Sequence, residues 1–217
     1  MKLSKQTFDI LKNFATICPS ISIERGNVLR TISEQDNIVA YATVEEYFPM
    51  DFSIYDLNQF LGGLSIMKDS ELNFENNDYV LIRSGNMSMK YFFTNKSFVK
   101  EAPQSINFPI PDLTFKITEQ NLSAISRARA IYQIDDLSII ANDGLIHLVA
   151  CNKKSDTSNN FSICVGHVES DQNLRLDLKT ENIKVLSGDY IVSVSSQLIS
   201  KFESTSNNLV YYVALEK

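Results

Sequence analysis

The sequence predicts an α+β protein made of two similar domains in tandem, each combining antiparallel strands with amphipathic helices. Three observations predict it. One plan, a helix followed by alternating strands, then another helix and more strands, occurs twice along the 217 residues. A hydrophobic share of 44%, with 10% aromatic, is enough to build two cores. Between the halves, Pro103, Pro109 and Pro111 keep Glu101 to Leu113 extended, as a connector would be. The boundaries are therefore an N-terminal domain over 1–100, a connector over 101–113 and a C-terminal domain over 114–217. A duplicated plan of this kind suits units of an assembly.

The first helix is predicted over Leu3 to Ile17, where Leu3, Thr7, Ile10, Leu11, Phe14 and Ile17 make one apolar stripe. Lys5 and Lys12 fall on the opposite face, with Lys2 to one side. Strands follow over Ile21 to Thr43, and a second helix over Ile54 to Ile66, in which Gly62 and Gly63 mark close packing or a local kink. Met87, Met89, Tyr91 and Phe93 then alternate as a strand. The second half opens with a helix over Thr118 to Tyr132, striped by Leu122, Ile125 and Tyr132, with Arg127 pointing away and Arg129 near the border. Strands over Leu137 to Val149 lead to a fourth helix over Leu178 to Leu186. There Ile183 and Leu186 face inward, Lys184 faces out, and Ser187 with Gly188 supplies the stop. Three of the four predicted helices thus present an outward cation.

Catalysis finds little support. His147 and His167 are the only histidines, and both sit in alternating strand patterns. Gly62 and Gly63 lack the Lys-Ser/Thr of a phosphate loop, so no nucleotide site or cofactor is expected. Acidic pairs such as Glu45 with Glu46 and Asp135 with Asp136 read as solvated edges rather than metal ligands. Cys18, Cys151 and Cys164 are an odd set without ligand spacing, which implies free thiols and no metal site. The Asn-x-Ser triplets at Asn86, Asn95 and Asn121 carry no weight in a protein expected in the cytoplasm. That expectation rests on the absence of a signal-like N-terminus and of any apolar run near the roughly 20 residues of a membrane span. A net charge of −6 argues against a general nucleic-acid glue and remains compatible with a basic lining inside an acidic shell.

Several segments in order resemble the sliding clamp of T-even-type tailed bacteriophages, the processivity factor of the phage DNA polymerase. They are Met1 to Lys5 (MKLSK), Leu11 to Ile17 (LKNFATI), Ile54 to Ser65 (IYDLNQFLGGLS), Ile106 to Ile110 (INFPI) and Tyr212 to Glu216 (YVALE). The resemblance spans essentially the whole chain, and the family's charged tail beyond the last strand has no counterpart before Lys217. It implies a homotrimeric ring of six similar domains around duplex DNA, with helices lining the hole and sheets outside. Lys5, Lys12, Arg127 and Lys184 would face the DNA, giving sequence-independent attraction that permits sliding. The subunit edges would be Met87 to Phe93 (Met87, Met89 and Tyr91) and Phe161 to Val165 (Phe161, Ile163 and Val165). A C-terminal peptide of the polymerase would enter a pocket made by Phe108, Ile110, Tyr211 and Val213. An ATP-dependent clamp loader and late-transcription factors are the further partners implied, with no membrane and no enzymatic step. The alternative is a β-rich assembly protein that binds no nucleic acid, for which outward cations serve only solubility; a small-molecule enzyme lacks a coherent nucleophile, base or metal set.

Overall fold

The computed structural model describes residues 1–217 apart from 68, 156, 169–172 and 217. The chain divides into two compact units, Met1–Gln104 and Ser105–Lys217.

In the first unit, helix α1 (Lys5–Ile17) buries Thr7, Ile10, Leu11, Phe14, Ala15 and Ile17, the stripe that the sequence sets out. Its start is fixed by Ser4, whose hydroxyl accepts from the Thr7 N–H at 3.2 Å and so satisfies one of the orphan donors of the first turn. Strand β1 (Ile21–Ile23) pairs with β4 (Phe52–Ile54), and β2 (Gly26–Ile32) pairs with β3 (Ile38–Phe48), both antiparallel. Helix α2 (Leu57–Ile66) begins where the Asp56 carboxylate accepts from the Gln59 N–H at 2.9 Å. Ile54 therefore ends a strand instead of opening the helix. Three further strands, β5 (Glu71–Asn73), β6 (Tyr79–Ser84) and β7 (Met87–Phe92), form an antiparallel sheet with β6 in the centre and β7 at an edge. Gly63 is the close-packing glycine: a Cβ there would lie 2.5 Å from Met89 Cε, whereas one at Gly62 would meet open space.

The second unit begins with β8 (Leu113–Ile117) and α3 (Glu119–Tyr132), whose N-terminus carries a reciprocal cap between Thr118 and Asn121. Strands β9 (Asp136–Asn142), β10 (Leu145–Cys151), β11 (Phe161–His167) and β12 (Leu174–Lys179) make one antiparallel sheet in the order β11-β10-β9-β12. The β9–β10 turn uses Asp143 and Gly144, both at positive φ (49° and 75°), which suits the twist of a tight hairpin. Strands β13 (Tyr190–Ser195), β14 (Ile199–Ser204) and β15 (Leu209–Ala214) run beside β8 in the order β15-β14-β13-β8. On α3 only Ile125 and Ala128 are buried, Leu122 is half-buried, and Tyr132 is exposed beside Ile131. Tyr132 thus lies outside the core-facing stripe in which the sequence places it.

The fourth helix predicted over Leu178 to Leu186 does not form. Leu174, Leu176 and Leu178 alternate along β12, with Leu178 opposite Leu137, and a single 3₁₀ turn (Thr180–Asn182) follows. The peptide of Leu186 is then held by two buried tyrosines: its N–H donates to Tyr211 Oη at 3.0 Å, and its carbonyl accepts from Tyr190 Oη. Backbone groups committed to a ladder and to tyrosine hydroxyls are not available for i to i−4 bonds. Lys184 accordingly sits in an irregular segment, half-buried, and not on a helical face.

Candidate nucleic-acid and partner interfaces

Lys5 and Lys12 are exposed on α1, opposite the buried stripe, and Arg127 and Arg129 are exposed on α3. The described ion pairs do not include Lys5, Lys12 or Arg127, so these charges are presented to solvent. α1 is anchored from a distance. Glu46 on β3 accepts from the Ser4 N–H and from the Thr7 hydroxyl, placing a carboxylate on the positive end of the helix. Burial opposes ionisation of Glu46, yet the bonds from Ser4 and Thr7 outweigh it and hold its carboxyl below the usual range. On α3, Arg127 and Arg129 border a groove of about 350 Å³ whose apolar lining includes Leu122, Ile125, Ile183 and Leu186. The other wall of that groove is Ile183, Val185 and Leu186, from the stretch predicted as a fourth helix.

Both predicted interface segments are strands at sheet edges. β7 is the edge of its sheet, where Tyr91 donates to the Asp56 carbonyl at 2.9 Å and packs on Phe60 at 5.1 Å between ring centroids. Met89 lies against Gly63, and Met87 is exposed. Met89 and Tyr91 are thus half-buried against their own α2. β11 is the edge of the other sheet, with Phe161, Ile163 and Val165 half-buried on the side that α3 covers in part.

The four residues predicted for a peptide pocket separate into two groups. Tyr211 and Val213 are fully buried in the core of the second unit and cannot line a surface pocket. The residue that meets Phe108 is Tyr212, at 6.1 Å between ring centroids, and Ile110 is 90% exposed. The error is one of strand parity: Leu209, Tyr211 and Val213 face in, so Val210 and Tyr212 face out. Lys201, a residue the sequence reading missed, places its ammonium 5.3 Å from the Phe108 ring centroid and 2.8 Å from Glu203. Phe108, Val210, Tyr212 and Lys201 make a half-exposed shelf on the outer side of β14 and β15, and Ile110 follows Phe108 two residues on, in the open.

A charge network that no local pattern announces braces the far sheet. Lys179 bonds Asp136 and Lys153 bonds Asp177 at 2.8 Å, while Glu216 lies within 4 Å of both lysines and bridges β12 at Asp177. Burial opposes ionisation of both aspartates, and bonds from Lys179 to Asp136 and from Lys153 and Ser138 to Asp177 hold them below the usual carboxylate range.

Comparison with known proteins places this geometry. Residues 2–92 match the family described as DNA polymerase processivity factor, and residues 114–217 match the C-terminal domain of the gp45 sliding clamp. The sliding clamp of Vibrio phage KVP40 is 32% identical, covering all of this chain and 99% of the relative. This chain belongs to the sliding-clamp family. The clamp of Enterobacteria phage T4 is 30% identical and that of Escherichia phage RB69 28%, each aligned over all of this chain and 97% of the relative. As an α+β clamp with two clamp domains, it also resembles solved structures at the level of fold. The proliferating cellular nuclear antigen of Entamoeba histolytica superposes with a TM-score of 0.73 at 12% identity, covering 97% of this chain and 95% of that one. That of A. fulgidus, solved with the C-terminal region of FEN-1 bound, gives 0.74 at 12% identity, covering 97% and 94%. As a sliding clamp, the protein is a DNA polymerase processivity factor. Among the described residues, no helix is long and apolar enough to cross a membrane.

Proposed function

We propose that three copies of this clamp close head to tail into a ring around duplex DNA, the edge of β7 in one copy pairing with the edge of β11 in the next. The observation that carries this reading is that β7 and β11 each lie at an edge of their sheet, one in each unit, with Met87, Met89 and Tyr91 along one and Phe161, Ile163 and Val165 along the other. Backbone groups at such edges are templates for pairing with another chain, and two unlike edges on one chain make a contact that closes by rotation. In this reading 1–100 and 114–217 are the clamp domains and 101–113 is the connector. Lys5, Lys12, Arg127 and Lys184 face the hole, where point charges attract phosphates without reading bases and leave the ring free to slide. The exposure of Lys5, Lys12 and Arg127 supports this, and Lys184 joins them from its loop.

The ring works without a chemical step: encircling DNA makes dissociation topologically difficult, so the tethered polymerase stays on its template. The polymerase's C-terminal peptide docks on the shelf of Phe108, Ile110 and Tyr212, an arrangement supported by the partner C-terminal region seen on the A. fulgidus clamp. An ATP-dependent loader opens the ring in the cytoplasm of the infected host, and the loaded clamp also serves late transcription. The test is charge reversal of Lys5, Lys12, Arg127 and Lys184 together. Stimulation of the cognate polymerase on primed DNA should be lost while the assembly keeps its mass. Full stimulation by that variant would sink the assignment of the lining.

A further inference from the structure

Lys201 is the only cation in β14 and β15. It stands opposite Tyr212 on β15 and Ser193 on β13 in the cross-strand register. Phe108 lies over its ammonium, and Glu203, the more exposed of the pair at 49% against 22%, takes one of its hydrogen bonds. An ammonium carries three donors, and a ring face attracts the charge without supplying a lone pair, so this cation retains capacity for a second carboxylate. The apolar neighbours Phe108, Val210 and Tyr212 lower the local dielectric, which raises the value of such a contact over one in open water.

Resting on the reading of this shelf as the dock for the polymerase's C-terminal peptide, we infer that Lys201 binds the terminal α-carboxylate of that peptide and so selects chain ends over internal segments. A peptide end brought onto an apolar shelf carries an ionised carboxylate whose desolvation is costly unless it is paired. Lys201 supplies the pairing through a donor that Glu203 leaves free. The shelf then reads two things at once: apolar side chains on Phe108, Ile110 and Tyr212, and a terminal charge on Lys201.

The experiment uses the full chain and a synthetic peptide of the cognate polymerase's C-terminal sequence, made once as the free acid and once as the C-terminal amide, with affinity read by titration calorimetry. Amidation should weaken binding about 10-fold, the effect of losing one charge-assisted hydrogen bond. Lys201→Met should weaken the free acid by a similar factor and leave the amide unchanged, while Lys201→Arg should keep the preference for the acid. Equal affinity for acid and amide, or a Lys201→Met variant that weakens both alike, overturns the inference. Phe108→Ala separates the two readings. If it weakens both peptides while acid and amide bind equally, the dock stands and the role of Lys201 falls; if it binds both as the native chain does, the dock itself falls, and the inference with it.

Discussion

Replacing Glu46 with glutamine removes a charge from the first turn of α1 while keeping the side chain's length. In the native chain that carboxylate accepts from the Ser4 N–H and the Thr7 hydroxyl, so the substitution exchanges charge-assisted bonds for neutral ones and cancels the attraction to the helix N-terminus. The first loss is worth about 1 kcal/mol and the second about 0.5 kcal/mol, so α1 should be destabilised by about 1.5 kcal/mol at neutral pH. The carboxyl of Glu46 is held below the usual range in the folded chain. Its contribution is therefore fully present above the unfolded value, about 4.3, and is lost as pH falls through the lower folded value. Amide hydrogen exchange along α1 reads this directly, because 1.4 kcal/mol corresponds to about tenfold faster opening. Glu46→Gln should exchange about tenfold faster than the native chain at pH 7, and the two should converge at pH well below the unfolded value. A gap that persists at low pH, or none at pH 7, would refute the argument that the charge holds the helix.

Three further outcomes follow from the packing. Gly62→Ala should stabilise the first unit by about 0.5–1 kcal/mol in chemical denaturation, since its Cβ meets open space, whereas Gly63→Ala should gain less because Met89 must move. Asp136→Asn should cost about 2 kcal/mol at pH 7 by leaving Lys179 without its closest partner; in the native chain this stabilisation is fully present above the unfolded carboxyl value, about 3.9, and is lost as pH falls through the lower folded value of Asp136. Tyr211→Phe removes the acceptor of the Leu186 N–H, so amide exchange at Leu186 should accelerate by about fivefold, with β15 unaffected.

The sequence disclosed α1 well because a stripe at helical spacing and cations on the opposite face agree, although the Ser4 cap sets its start two residues after the predicted Leu3. The alternation of Met87, Met89 and Tyr91 disclosed β7 as a strand, whereas only the family resemblance pointed to β7 and β11 as edges. The fourth helix was misread where Ile183 and Leu186 imitate helical spacing, although the alternation of Leu174, Leu176 and Leu178 already marked a strand running into that stretch. The pocket residues were misassigned by one position because Tyr211 and Tyr212 are the same residue type, and only the buried run of Leu209, Tyr211, Val213 and Leu215 decides which ring faces out. Lys201 was not legible, and the Asp136–Lys179–Asp177–Lys153 network was hidden behind an error, since Asp136 reads in sequence as a solvated edge and is buried in the fold. Apart from Glu203, two residues along β14 from Lys201, their partners come from other segments of the chain, and cross-strand register is set by the fold and leaves no local spacing to read.

The most direct test of the ring is the solution mass measured by light scattering across a wide concentration series. The mass should rise to three times the 24.5 kDa of one chain and stop there. A chain that stays monomeric, or that stops at a dimer even at high concentration, would contradict the closed ring of three copies.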